Sequence, residues 1–123
     1  MEIYRPIELR PDESLVDRVH SYLIAPAFSW GKNGRLVLTD ERLLWTPIRF
    51  PFPRSEPVSL ELSEITDCDV GRSRDLMGRP LVVEANQESF QLYFGENPTK
   101  GLLSGGKTRE AWKKLIRSTA NLV

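Results

Sequence analysis

The sequence predicts a mostly β domain closed by one C-terminal α-helix, with about seven short antiparallel strands before it. Three observations carry that expectation. Apolar residues recur with period two through most of the chain, the spacing of strands buried on one face. The spacers between several apolar runs are short and polar, fit only for tight reversals. After Gly105-Gly106 the apolar spacing changes to that of a helix.

Taken in order, Leu15, Val16, Val19, Tyr22, Leu23 and Ile24 predict a first strand over residues 15–24. Their phase is ambiguous, and a short initial helical turn is the alternative. Leu36-Val37-Leu38 and Leu43-Leu44-Trp45 are separated only by Thr39-Asp40-Glu41-Arg42, which makes them a hairpin. Val58, Leu60 and Leu62 alternate with Ser59, Glu61 and Ser63, and Ile65 to Val70 supplies another short strand. Leu81, Val83 and Ala85 form one more, joined by Asn86-Gln87-Glu88 to a last strand carrying Phe90, Leu92 and Phe94. In the tail, Trp112, Leu115, Ile116 and Thr119 share one helical stripe, and Lys113, Lys114 and Arg117 lie off it. Thr108 suits the N-cap and Glu110 the first turn. Short strands followed by one amphipathic helix imply antiparallel packing with the helix over an open end or edge.

At 123 residues the chain is expected to be a single domain over 1–123, with its core over about 11–120. Lys+Arg and Asp+Glu number 17 each, so the net charge is zero, which argues against general nucleic-acid binding. That neutrality is a sum of patches. Residues 1–17 carry a net of −3, residues 55–69 a net of −5, and residues 100–117 a net of +5. Such patches can pair with one another or present a local field. Cys68 is the single cysteine, so neither an internal disulfide nor a cysteine-based zinc site is available. No apolar run approaches the roughly 18–20 residues needed to span a bilayer. The acidic start, lacking an apolar signal core, makes the expectation a cytoplasmic protein, at most peripheral at the inner membrane face.

The segment Gly34-Arg35-Leu36-Val37-Leu38-Thr39-Asp40-Glu41-Arg42-Leu43-Leu44-Trp45 resembles the G-x-L-x-L-T-D-x-R-L hairpin of GRAM and bacterial pleckstrin-homology-like (PH-like) domains. Pro11-Asp12-Glu13 resembles the short acidic lead-in of that family, and the later strands and terminal helix follow in its order. The resemblance spans about residues 11–120 and implies a PH-like barrel or sandwich of two near-orthogonal antiparallel sheets, closed at a corner by the helix. It also implies a binding module for phosphoinositides, peptides or proteins, in which Thr39 and Asp40 shape a turn followed by Arg42. The basic pattern for inositol phosphates is thin here, with Lys32 and Arg35 in the first hairpin and Arg18 upstream.

Residues 101–108 match the phosphate-cradling G-x-x-x-x-G-K-[ST] motif, from Gly101 to Lys107-Thr108. That chemistry needs a parallel βαβ setting and a later acidic strand end for magnesium, and the antiparallel pattern offers neither, so no nucleotide is expected. Three loops are better candidates. Pro26 to Gly34 carries Phe28, Trp30 and Lys32, followed by Arg35; its aromatics either enter a partner's pocket or a membrane interface, or fold back onto the barrel end. Ile48 to Arg54 alternates Arg49, Phe50, Phe52 and Arg54 around stiffening prolines, either a binding rim or a loop packed on the sheet edge. Gly71 to Arg79 sets Arg72, Arg74 and Arg79 around Leu76-Met77.

His20 is alone and reads as a packed or hydrogen-bonded histidine, so neither a metal site nor a catalytic triad is expected. Cys68 lies between Asp67 and Asp69, which would raise its thiol pKa and disfavour use as a nucleophile. The sequence therefore predicts a non-enzymatic module without cofactor or metal. Its expected ligand is a protein partner or a second copy of the chain, bound through Phe28, Trp30, Lys32, Arg35, Arg49, Phe50, Phe52 and Arg54. An anionic membrane surface, met by the same loops, is the alternative.

Overall fold

The period-two segments become strands where their alternation places them. The computed structural model describes residues 4–26, 31–48, 56–72, 79–94 and 106–122. It contains β1 (Leu15–Ile24), β2 (Lys32–Thr39), β3 (Arg42–Pro47), β4 (Val58–Glu61), β5 (Ile65–Val70), β6 (Leu81–Ala85), β7 (Glu88–Phe94) and α1 (Gly106–Thr119). Every ladder is antiparallel, and the order is β4-β3-β2-β1-β7-β6-β5. β1 joins the halves, pairing with β2 from Leu15 to Leu23 and with β7 from Ser21 to Ile24. Hydrogen bonding is thus continuous across what the resemblance describes as two sheets.

The outermost strands are β4 and β5, yet only a 3₁₀ turn, Leu62–Glu64, separates them in the chain. Four peptide steps reach at most about 14 Å, so the sheet must roll until its edges approach. Rolling encloses Leu23, Leu36, Leu38, Leu43, Trp45, Leu81, Val83 and Leu92, and α1 adds Trp112 and Ile116 to that core. Trp112 stacks on Phe94 with centroids 6.3 Å apart and planes 24° from parallel. Lys113 pairs with Asp69 at 2.9 Å, and Arg117 reaches Asp67 at 3.1 Å and the Cys68 carbonyl at 2.9 Å. Part of the acidic and basic patches of the sequence is therefore spent docking α1 on β5. The same aspartates accept the N–H groups of Cys68 and Val70, so β5 presents a blunted edge to other chains.

Some local expectations shift by a few residues. The β6–β7 turn is Asn86-Gln87 alone, with φ of 54° and 65°, and Glu88 already pairs with Ala85. Two positive φ values match the twist of a two-residue hairpin. β4 ends at Glu61, and Leu62 is buried from the 3₁₀ turn instead of continuing the strand. Leu15 already belongs to β1, so no helical turn opens the first strand. α1 starts at Gly106, which places Thr108 inside the helix, and no acidic residue occupies the first turn.

The hairpin motif has a packing explanation. A Cβ at Gly34 would stand 2.3 Å from the Thr46 carbonyl oxygen and 2.6 Å from the Trp45 ring, so only glycine lets that indole lie flat across β2. Trp45 Nε1 donates to the Ser21 carbonyl at 3.3 Å. Thr39 Oγ1 accepts the N–H groups of Glu41 at 3.1 Å and Arg42 at 3.0 Å, which tightens the β2–β3 turn. Asp40 Oδ1 accepts the Ser14 N–H at 2.9 Å and ties that turn to the start of β1.

Arg42 then turns back onto Glu13, whose side chain is fully enclosed. Nε donates to Oε2 at 2.7 Å and Nη2 to Oε1 at 2.8 Å; Thr39 Oγ1 reaches Oε2 at 2.6 Å and the Arg10 N–H reaches Oε1 at 2.9 Å. Arg42 Nη2 also donates to the Glu8 carbonyl at 3.0 Å, while at the far end of β3 the Arg5 N–H donates to the Pro47 carbonyl at 2.9 Å. Residues 5–10 therefore run the length of β3, over its outer face. Val37 and Leu44, which alternation turns to that face, are each only 4% exposed.

Gly34→Ala is expected to lower stability by about 2 kcal/mol through overpacking against Trp45, read as a shift of the urea midpoint. A variant as stable as the parent would show that the indole does not need the glycine.

Candidate binding surfaces

Strand direction decides which loops can act together. β1 and β3 run the same way, and the pairs Leu23↔Lys32 and Trp45↔Val58 leave the β1–β2 and β3–β4 connections at one end of the sheet. β5 runs the opposite way along the ladder, so the β5–β6 connection leaves at the other end. The roots of the first two basic-aromatic loops of the sequence therefore share one end, and the roots of the third lie at the other. α1 lies across the second end. Its start meets Arg79 through Arg109, and Thr119 to Asn121 share a depression with Asp40, Glu41 and Glu61 beside the β2–β3 turn. The first end is left uncovered by the helix.

Of the residues proposed from sequence, Phe28, Trp30, Arg49, Phe50, Phe52 and Arg54 lie outside the described residues, as do Arg74, Leu76 and Met77. Lys32 opens β2 at the uncovered end, half-buried. Arg35 lies three residues further along β2, hence on the opposite face, with its guanidinium 4.9 Å above the Tyr4 ring. Its cross-strand neighbour His20 bonds the Tyr4 hydroxyl through Nδ1 at 2.9 Å. Burial lowers the His20 pKa, and a hydrogen bond with Asn33 opposes the shift. His20 is thus a packed, hydrogen-bonded histidine that fastens the lead-in segment to the barrel.

Cys68 is fully enclosed, and its thiol pKa is pushed up to about 12. Burial is the main cause; Asp67 and Asp69 add to it, and Arg117 opposes it. Among the described residues no three His, Cys, Asp or Glu side chains gather to hold a metal ion. Every strand ladder among the described residues is antiparallel, unlike the parallel setting that the match over residues 101–108 calls for; Gly101 to Gly105 lie outside the described residues. No helix of the described residues is long and apolar enough to cross a membrane.

Sequence reasoning missed Tyr4 and the internal role of Glu13. Only the second left a signal, an acid placed before the first strand in a segment that already resembled a family lead-in.

Solved structures with the same fold include PH domains. The N-terminal PH domain of Vps36 is 17% identical with a TM-score of 0.64, over 93% of this chain and 86% of that one. The hSac2 domain of the human phosphoinositide phosphatase Sac2 is 16% identical with a TM-score of 0.64, over 92% of this chain and 74% of that one. The C-terminal domain of an unknown protein from Leishmania infantum is 18% identical with a TM-score of 0.64, over 89% and 85%. No family model matches the chain, and no curated protein matches it significantly. The fold is PH-like; membership of the GRAM family remains a reading of the hairpin motif.

Cys68 is expected to resist a thiol-reactive dye at mildly alkaline pH in the native protein and to react at once in denaturant, followed by absorbance. Fast native labelling would place the thiol in contact with solvent.

Proposed function

We propose that this domain is a non-enzymatic adaptor that docks a protein partner on the end left open by α1. One observation carries the reading: strand register sends the β1–β2 and β3–β4 connections to the same end. Those connections hold Phe28 and Trp30 on one side and Arg49, Phe50, Phe52 and Arg54 on the other, with Lys32 at the root of the first. Aromatic anchors ringed by arginine are the composition of binding hot spots. Arg35 belongs to the same hairpin and supports this end through Tyr4. The partner is a different protein or a second copy of this chain. The chemistry of the described residues fits binding, with a buried thiol and a packed histidine in place of a reactive pair. A cytoplasmic site of action and kinship with GRAM domains belong to the same proposal.

A second reading has one observation in its favour. One structural neighbour is a domain of a phosphoinositide phosphatase, so the same end could meet anionic lipid through Lys32, Arg49 and Arg54 while the aromatics insert.

Co-sedimentation with anionic and neutral vesicles, at low and physiological salt, separates the two. The protein reading predicts that the chain stays in the supernatant with both. It further predicts that a partner retained by the immobilised domain is lost on Phe28→Ala/Trp30→Ala but kept on Lys114→Ala, a change on the exposed side of α1. Sedimentation with anionic vesicles alone, weakened by salt and by the double substitution, would establish the lipid reading instead. A double variant that changes neither result would remove the open end from the account.

A further inference from the structure

α1 begins where β5 ends and β6 starts, and arginines from these places converge there. Arg79 Nε donates to the Gly71 carbonyl at 2.8 Å, and Arg109 Nη1 donates to the Arg79 carbonyl at 3.0 Å. The Gly71 N–H closes the neck of the β5–β6 connection on the Pro80 carbonyl at 2.8 Å. Arg72 stands beside that neck and is exposed. Several basic side chains elsewhere answer carboxylates: Arg10 meets Glu41 and Glu61, Arg42 meets Glu13, Lys113 meets Asp69 and Arg117 meets Asp67. At this corner the anchors are neutral backbone carbonyls. Only Glu110, 3.8 Å from Arg109 Nε and itself 52% exposed, brings a negative charge to it among the described residues. A chain with no net charge thus keeps a local positive excess, with two guanidinium forks already held in place.

We infer that this arginine corner is a second docking surface and that it takes an acidic segment of a protein partner. Planar forks fixed on backbone carbonyls match carboxylates in pairs, and their prior fixation lowers the ordering cost of binding. A lipid surface fits less well. The large apolar side chains exposed among the described residues, Leu9, Leu15 and Val16, lie on the lead-in and β1, away from this corner. Glu110 stands beside the corner, half exposed, and would repel a flat anionic sheet, whereas a single extended segment can pass beside it. The corner also lies at the end opposite the β1–β2 and β3–β4 loops, so both surfaces can be occupied together. This inference stands independently of what the open end binds.

The test is a titration of the whole chain with a hexaglutamate peptide at physiological salt, followed by its amide NMR spectrum. Saturable shifts centred on Arg72, Arg79 and Arg109 are expected. Arg79→Gln/Arg109→Gln should raise the Kd at least about tenfold. Because Arg79 and Arg109 also hold the loop neck, Arg72→Gln provides the cleaner arm: a Kd raised about threefold with an unchanged thermal midpoint. Absent shifts, shifts confined to the Lys32 end, or affinity that survives both variants would overturn the proposal. Anionic vesicles that sediment the protein in an Arg72-dependent way would also overturn it, in favour of lipid.

Discussion

The structure turns on one enclosed carboxylate. Glu13 is buried with its charge, a costly arrangement unless each oxygen is met by donors. Four donors meet it: two from Arg42, one from Thr39 and the Arg10 N–H. Each donor comes from a place that must be brought into register. Arg42 begins β3, Thr39 ends β2, and Arg10 lies in the segment that crosses the outer face. Satisfying one anion therefore closes the β2–β3 hairpin and pins the lead-in to the start of β3. Arg10 extends the network outward to Glu41 and Glu61, joining the turn to the edge strand β4. Those outer pairs are exposed and are worth little alone; the enclosed pair sets the geometry.

Much of this was legible in the sequence, for a physical reason. Period-two apolar spacing is a direct projection of the pleat and located β4, β6 and β7, while apolar runs around a short polar spacer located β2 and β3; the limits read for β5 and β6 match the strands. The helix stripe was equally direct, since Trp112 and Ile116 are the residues buried from α1. What escaped was non-local. Glu13 and Arg42 lie 29 residues apart, and nothing in local spacing says that a carboxylate turns inward. The start of α1 escaped because capping residues mark helix ends only weakly; the helix runs past Thr108 back to Gly106. Loop composition supplied aromatic and basic candidates, all but Lys32 and Arg35 outside the described residues. Strand direction was needed to put the roots of two of those loops at one end and the roots of the third at the other.

The two ends of the barrel differ in kind. α1 closes one by burying Trp112 against Phe94 and by pairing its basic side chains with β5, which leaves the arginine corner at its start as an edge of that closure. The other end carries the roots of two connections whose composition is aromatic and basic, and those roots are set by Gly34, Trp45 and the Tyr4–His20 contact. Changes in end loops leave the ladder between them intact, and the fold alone does not name a ligand.

The Glu13 lock can be measured without touching either surface. Arg42 holds the Glu13 carboxyl down to about 2 against an ordinary 4.5, with burial opposing the shift. A group whose folded pKa is lowered contributes stability above its unfolded pKa and loses it as pH falls through the folded one. The window therefore runs from about 4.5 down to about 2, and the full shift corresponds to about 3 kcal/mol. Urea unfolding of the parent and of Glu13→Gln across that range isolates it, because the shifts of Glu61 and Asp69 are common to both proteins. The parent should be the more stable by about 3 kcal/mol near neutral pH, and the gap should close as the pH approaches the lower limit. A gap that stays constant with pH, or is absent at neutral pH, would contradict the claim that this carboxylate holds the fold together.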